Sequence, residues 1–205
     1  MTMFFGYDAL MALLAGYLIG SIPFGLLLVR LAGKGDVRTV GSGNIGSTNV
    51  LRAAGKGVAA ATLLFDAAKG LVPILLAERL WPGGVSGQFA AAGAFLGHCF
   101  PIWLGFRGGK GVATLIGIGF GLHWTIGLSV VVAWLLVARL SRISSLGGMA
   151  AAAAAPLAAL AFGHREYLLV FSLLFAIVLI RHRANIGRLL RGEEPRIGAT
   201  NPDAH

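Results

Sequence analysis

The chain has 205 residues, 57% of them hydrophobic and only 12% charged, with a mean hydropathy of +0.81. A soluble domain carries about 25% charged residues, so the composition excludes an ordinary soluble globular protein and points to an all-α polytopic membrane bundle. The net charge of +9 would suit nucleic acid in a soluble chain; here no nucleic-acid partner is expected, because the cations sit in short loops where they set orientation.

The first apolar run covers residues 9–31 and is interrupted by Pro23, between Gly20 and Gly25. Proline in a spanning helix frees a carbonyl that neighbours must re-satisfy. Its N-terminal side does not read as a signal peptide, since the first charge is Asp8 and no basic n-region precedes it. Residues 36–57, DVRTVGSGNIGSTNVLRAAGKG, are too polar to span and read as a loop. A second span at 58–80 carries Asp66 and Lys69 and ends at Trp81-Pro82-Gly83-Gly84. A third at 89–104 contains His98 and Pro101, and Phe106-Arg107-Gly108-Gly109-Lys110-Gly111 then makes a second glycine-rich basic loop. The run 112–140 is too long for one crossing, so His123-Trp124 is predicted to turn it into a short fourth helix and a fifth from Thr125. About 17 residues is the lower limit for a crossing, which makes the fourth the weakest span. An alanine-rich sixth helix at 146–162 holds Pro156, residues 164–166 form a tight turn, and the seventh helix covers 167–180. The tail is basic, and residues 199–205 read as a disordered end to a single domain over 1–198.

Seven spans put the chain ends on opposite sides. All of the 17 Lys and Arg except Lys69, Arg79 and Arg165 then fall on one side. The positive-inside rule makes that side cytoplasmic, with the C-terminus, and leaves the N-terminus external. The one cysteine, Cys99, excludes an intrachain disulfide framework.

Three polar segments share the cytoplasmic face. In 36–57, Gly41 and Gly43 keep the backbone permissive, Ser42 and Asn44 supply small polar groups, and Arg38, Arg52 and Lys56 supply charge. Such a loop suits an anion such as phosphate; the competing reading is a solvated basic loop that only orients the chain. Gly41-Ser42-Gly43-Asn44-Ile45-Gly46 matches the dinucleotide fingerprint in letters alone, since a membrane-length run precedes it where a strand is needed. Lys110, flanked by Gly108, Gly109 and Gly111 at a predicted helix start, adds a full charge where a helix dipole already favours an anion. It is not a Walker A loop, because Gly111 stands where a magnesium-binding Ser or Thr belongs. His182 and Asn185 are three apart, hence on one face if the seventh helix continues. Asp66 and Lys69 are also three apart at mid-span; a mutual ion pair is the simpler reading, a functional pair the other. For His98 the simpler reading is a bond to a backbone carbonyl. The histidines lack metal-ligand spacing, so no metal or cofactor is expected.

GSIPFG (20–25), GSGNIGSTNVLRAAG (41–55), GHCFPIWLGFRGGKGVAT (97–114) and RHRANIGRLLRGEEPRIG (181–198) occur together in order. In these motifs the chain resembles the bacterial acyl-phosphate:glycerol-3-phosphate acyltransferases, the PlsY family. The resemblance implies a seven-helix enzyme of the bacterial inner membrane with its site facing the cytoplasm; separately, a monomer is expected. It would move a fatty acyl group from acyl phosphate to the 1-hydroxyl of glycerol 3-phosphate, releasing phosphate and giving lysophosphatidic acid for phospholipid synthesis. The implied catalytic residues are Ser42, Arg52, Lys110, His182 and Asn185. Asn44, Gly108 and Gly109 also match the family's motifs and would bind substrate, joined by Arg38, Gly41, Gly43, Lys56 and Gly111 from the loop chemistry above, with membrane lipid around the bundle. Ser47 and Arg107 depart mildly from the family pattern, which often has alanine and lysine there. A transporter or channel for an anion is the competing function; it would show internal repeats and paired broken helices, and neither is clear here.

Overall fold

The computed structural model describes residues 2–198, and every regular element among them is helical. The segment 199–205, read above as a disordered end, lies outside the described residues. The helices are α1 (Thr2–Gly20), α2 (Phe24–Leu31), α3 (Ser47–Leu80), α4 (Ser86–Cys99), α5 (Val112–Leu122), α6 (Trp124–Ser141), α7 (Ser144–Ala161), α8 (Leu168–Arg181) and α9 (Arg183–Leu190).

Among the described residues four spans are long and apolar enough to cross a bilayer: residues 6–31, which join α1 to α2 across the Pro23 break, then α3, α6 and α7. α8 with α9 passes only as a pair bent by 60°. α5 has 11 residues and α4 has 14, about 16 and 21 Å at 1.5 Å per residue, short of a hydrocarbon core of about 30 Å. The predicted turn at His123 is present, with His123 capping α6 by accepting from the Thr125 amide. The loop reading of 36–57 needs correction. Only its first half is loop; α3 begins at Ser47 and runs on to Leu80 through a kink at Gly55, whose φ of 82° and ψ of −179° only glycine adopts readily.

Glycine sets the packing distance. Gly16 and Gly20 on α1 face Gly93 and Gly97 on α4; a Cβ on any of the four would lie within 2.3 Å of a backbone oxygen of the opposite helix. Between membrane helices lipid supplies no hydrophobic drive, so this small-residue contact lets dispersion hold them together. Gly70 on α3 and Gly117 on α5 seat those two helices in the same way. Inside this frame Asp66 and Lys69 form the ion pair read as the simpler case, at 2.7 Å and almost fully buried. Lys69 also donates to the Ile22 carbonyl at 2.8 Å, which re-satisfies the break before Pro23. His98 lies 3.8 Å from Asp66, and its Nδ1 finds no hydrogen-bond partner among the described residues. The backbone-carbonyl partner expected for it is therefore not observed.

Candidate active site

The loops at one end of the bundle converge on Lys110. Gly111, at φ 87°, caps α5 without any side-chain hydrogen bond, so Lys110 enters directly before an uncapped helix N-terminus. α8 stops at His182, whose Nδ1 is 2.8 Å from the Val178 carbonyl. A carbonyl can only accept, so Nδ1 carries the proton and Nε2 is left as an acceptor. The 60° bend there corrects the expectation of one continuous helix, yet it swings Asn185 inward. Lys110 Nζ donates to Asn185 Oδ1 at 2.6 Å, across 75 residues of chain.

Asn185 is held in turn by Glu194. Its Nδ2 donates to Glu194 Oε1 at 2.5 Å, while Ser145 Oγ donates to the same oxygen at 2.6 Å and Arg188 Nε to Oε2 at 2.7 Å. Burial pushes the Glu194 carboxyl up, but the bonds from Ser145, Asn185 and Arg188 outweigh it and leave the group below its usual range. Burial first, with Glu194 opposing and Arg188, Arg181 and Arg52 adding to it, lowers the Lys110 ammonium to about 8. His182 is lowered to about 4, chiefly by burial, and is neutral at pH 7. The site thus gathers four cations around one carboxylate and has positive charge to spare, which suits an anionic ligand.

Arg52 comes from the second turn of α3 and lies against Gly41, where a Cβ would stand 3.5 Å from its Cδ. Gly41 and Gly43 have φ of 55° and 66°, the left-handed turns that need glycine. Asn49, buried in the first turn of α3, holds this loop: its Nδ2 donates to the Val37 and Val40 carbonyls, and its Oδ1 accepts from the Ser42 amide. The Ser42 side chain is exposed. Asn44 accepts from the Gly46 amide at 3.1 Å and shapes the turn into α3.

Four predicted ligands sit differently from expectation. Arg38 is paired with Asp36 at 2.6 Å, and this hydrogen bond holds the Asp36 carboxyl well below the usual range, so much of its charge is already answered. Lys56 is exposed just after the Gly55 kink. The amides of Gly108 and Gly109 donate to the Cys99 and His98 carbonyls, so they are not bare to an anion as expected. Their lack of side chains serves packing instead, since a Cβ on either would fall within 2.2 Å of His98 atoms. Arg181 locks the same loop, donating to the Gly109 and Gly108 carbonyls at 3.0 and 2.6 Å.

Asn49, Arg181 and Glu194 were missed as site residues. Asn49 could have been suspected from the small polar run Ser47-Thr48-Asn49 at a helix start, and Glu194 from being one of two acids in the basic segment 181–198. Nothing local distinguishes Arg181. Among the described residues no group of three or more His, Cys, Asp or Glu could hold a metal ion.

A family model described as glycerol-3-phosphate acyltransferase matches residues 10–192. A curated glycerol-3-phosphate acyltransferase of Erythrobacter litoralis is 54% identical over 95% of this chain and 98% of its own. Those of Maricaulis maris and Mesorhizobium japonicum are 54% and 53% identical, over 93% and 94% of this chain and 88% and 98% of theirs. The fold is similar to crystal structures of PlsY (YgiH), an integral membrane glycerol 3-phosphate acyltransferase. Its glycerol 3-phosphate form has a TM-score of 0.87 at 38% identity, covering 93% of this chain and 96% of that one. Its lysophosphatidic acid form has a TM-score of 0.86 at 36% identity, covering 93% and 95%.

Proposed function

The chain belongs to the glycerol-3-phosphate acyltransferase family, and on that premise we propose that it transfers a fatty acyl group from acyl phosphate to the 1-hydroxyl of glycerol 3-phosphate. The products are lysophosphatidic acid and inorganic phosphate, and the reaction serves phospholipid synthesis. The observation that carries this reading is the Lys110–Asn185 contact of 2.6 Å inside a cluster that also holds Arg52, Arg181 and Arg188. Both substrates bring phosphate, and a single cation could not answer two of them.

An acyl phosphate is a mixed anhydride with a good leaving group, so no covalent enzyme intermediate is required. The hydroxyl oxygen of glycerol 3-phosphate attacks the acyl carbonyl carbon, the bond from that carbon to the phosphate oxygen breaks, and the departing phosphate takes the hydroxyl proton. Negative charge grows on the carbonyl oxygen and on the leaving phosphate. Lys110, fixed by Asn185 and backed by the α5 N-terminus, is the donor placed to stabilise it. Arg52, the Ser42 hydroxyl and the turn at Gly41, Gly43 and Asn44 hold a substrate phosphate from the α3 side, with Arg38 and Lys56 as outlying charge. Neutral His182 keeps the bend that delivers Asn185 and offers an acceptor rather than a cation. Gly108, Gly109 and Gly111 act by letting the Lys110 loop sit against α4.

The protein works in the bacterial inner membrane as a single domain over 1–198, with seven crossings, an external N-terminus and a cytoplasmic site. α5 supports the count despite its length. Its loop begins beside Arg181 at one end of α8, and His123 at its far end lies against His164 beside the other end of α8, the rings tilted by 35° with centres 3.7 Å apart. It traverses the same thickness as α8. Cysteines at the exposed positions Lys34 and Gly84 should react with an impermeant reagent from the cytoplasmic and external sides respectively; reversed labelling defeats the orientation.

The deciding experiment supplies purified protein with glycerol 3-phosphate and either palmitoyl phosphate or palmitoyl-CoA. Lysophosphatidic acid is expected from palmitoyl phosphate alone, and production from the thioester alone would overturn the donor assignment.

A further inference from the structure

One groove on the molecule lies away from Lys110. It lies along the lipid-facing side of α6, has a volume of about 730 Å³, and is lined by Val132, Leu135, Leu136, Arg139, Arg142 and Ile197 among others. That volume falls within the roughly 300–1,000 Å³ of small-molecule sites. Its apolar residues Val132, Leu135 and Leu136 are 51–57% exposed, although the helix faces on either side of α6 are packed.

Its dimensions match one leaflet. From Arg142 to Val132 is ten residues of helix, about 15 Å at 1.5 Å per residue, or half of a hydrocarbon core of about 30 Å. The charged end is the end of the bundle that holds Lys110. Arg139 and Arg142 are both exposed there, and neither makes an ion pair among the described residues. The tail closes this end: the Ile197 amide donates to the Arg142 carbonyl at 2.6 Å, and Arg142 takes the left-handed conformation, φ 60°, that this crossing requires. Three residues earlier in the same tail, Glu194 holds Ser145 and Asn185.

We propose that this groove is a seat for one anionic phospholipid of the surrounding leaflet, separate from the reaction site. Its headgroup phosphate pairs with Arg139 and Arg142, and one acyl chain lies along Leu136, Leu135 and Val132. Charge complementarity selects the occupant: a zwitterionic lipid offers the same chain but brings an ammonium that two unpaired guanidiniums repel. The tail that roofs the headgroup is the tail that carries Glu194. Occupancy therefore holds Ile197 in place and steadies the Asn185 contact to Lys110.

The test uses the full-length protein in nanodiscs of phosphatidylcholine doped with phosphatidylglycerol of equal chain length, with retained lipid counted by native mass spectrometry. One phosphatidylglycerol should be retained in preference to phosphatidylcholine. Arg139→Gln with Arg142→Asn, asparagine being tolerant of a left-handed backbone, should lose about thirtyfold of that preference, at about 1 kcal/mol per arginine near a membrane surface. The variant with lysine at both positions should keep most of it. The thermal midpoint of the wild type should rise with phosphatidylglycerol, and that of the Gln/Asn variant should not. Equal retention of the two lipids, or an unchanged preference in the folded Gln/Asn variant, overturns the proposal. So does a raised KM for palmitoyl phosphate in that variant with phosphatidylglycerol retention intact, which would give the groove to the acyl donor.

Discussion

Two clusters in this protein use the same residue types and differ in everything else. Lys69, Asp66 and His98 meet in the helix core; Lys110, Glu194 and His182 meet where the helices end. In the core the carboxylate touches the lysine directly, at 2.7 Å, both side chains are almost fully buried, and the lysine's remaining reach goes to the Ile22 carbonyl. At the end of the bundle the carboxylate reaches its lysine only through Asn185 and pairs directly with Arg188, and Arg52 and Arg181 add charge beyond what that one carboxylate can balance. A matched pair suits a structural role, holding two helices and a proline break together. An unmatched set suits the binding of an anion. Chemistry depends less on which residues are present than on whether their charge is already answered.

The sharpest way to break this comparison is to unbalance the inert pair. Asp66→Asn or Lys69→Met alone should destabilise the fold by about 3–5 kcal/mol, because an uncompensated charge is left buried. The double variant should recover much of that loss and keep its activity. Thermal midpoints and turnover of the three decide; a stable but inactive double variant would move the pair into the site.

Next in size is Lys110→Ala, which should cost about 2.7–4 kcal/mol of transition-state stabilisation, roughly a hundred- to thousand-fold in turnover, while the protein folds and inserts normally. Lys110→Arg should rescue only in part, since a planar fork does not replace a compact ammonium. Near-wild-type turnover of folded Lys110→Ala would remove this lysine from the mechanism.

Glu194→Gln should cost about 1.5–3 kcal/mol of stability through its charged hydrogen bonds. The same change should shift the pH profile, because Glu194 favours the Lys110 ammonium. In the wild type, kcat/KM should fall as pH rises through about 8, where Lys110 loses its proton. Without Glu194 that limb should move lower, and in Lys110→Arg it should move well above. Stability runs the other way with pH: between about 8 and 10.5 the unfolded lysine still holds a proton that the folded one has lost, so this group's contribution to folding increases across that window. A limb that stays at the same pH in all three proteins assigns it to another group.

The smallest effect is expected at Arg107, exposed and, among the described residues, bonded only through its backbone amide. Arg107→Ala should change turnover by about twofold, in the range of ordinary surface substitutions. A loss like that of Lys110→Ala would extend the unanswered charge outward along the loop.

By itself the sequence determined the membrane class, because hydropathy adds along the chain whatever the fold. It also determined where helices stop: Pro23, the Trp81–Gly84 breaker and His123 act through local backbone chemistry. The three cation-bearing segments were legible for the same reason, and so was the Asp66–Lys69 pair, which one helical turn brings together. Only the tertiary structure decided which charges meet. Lys110 finds Asn185 across 75 residues because the bend at His182 and the packing of α5 and α8 put both at one point, and periodicity specifies helix faces without saying which faces join. The glycine amides next to Lys110 look free in the sequence and are occupied in the fold, since the end of α4 supplies carbonyls that nothing nearby in the chain foretells. Arg38 and Arg52 are alike in composition and differ in use. Arg38 has Asp36 two residues away, while Arg52 is carried by a helix start into the cluster around Lys110, where cations outnumber carboxylates.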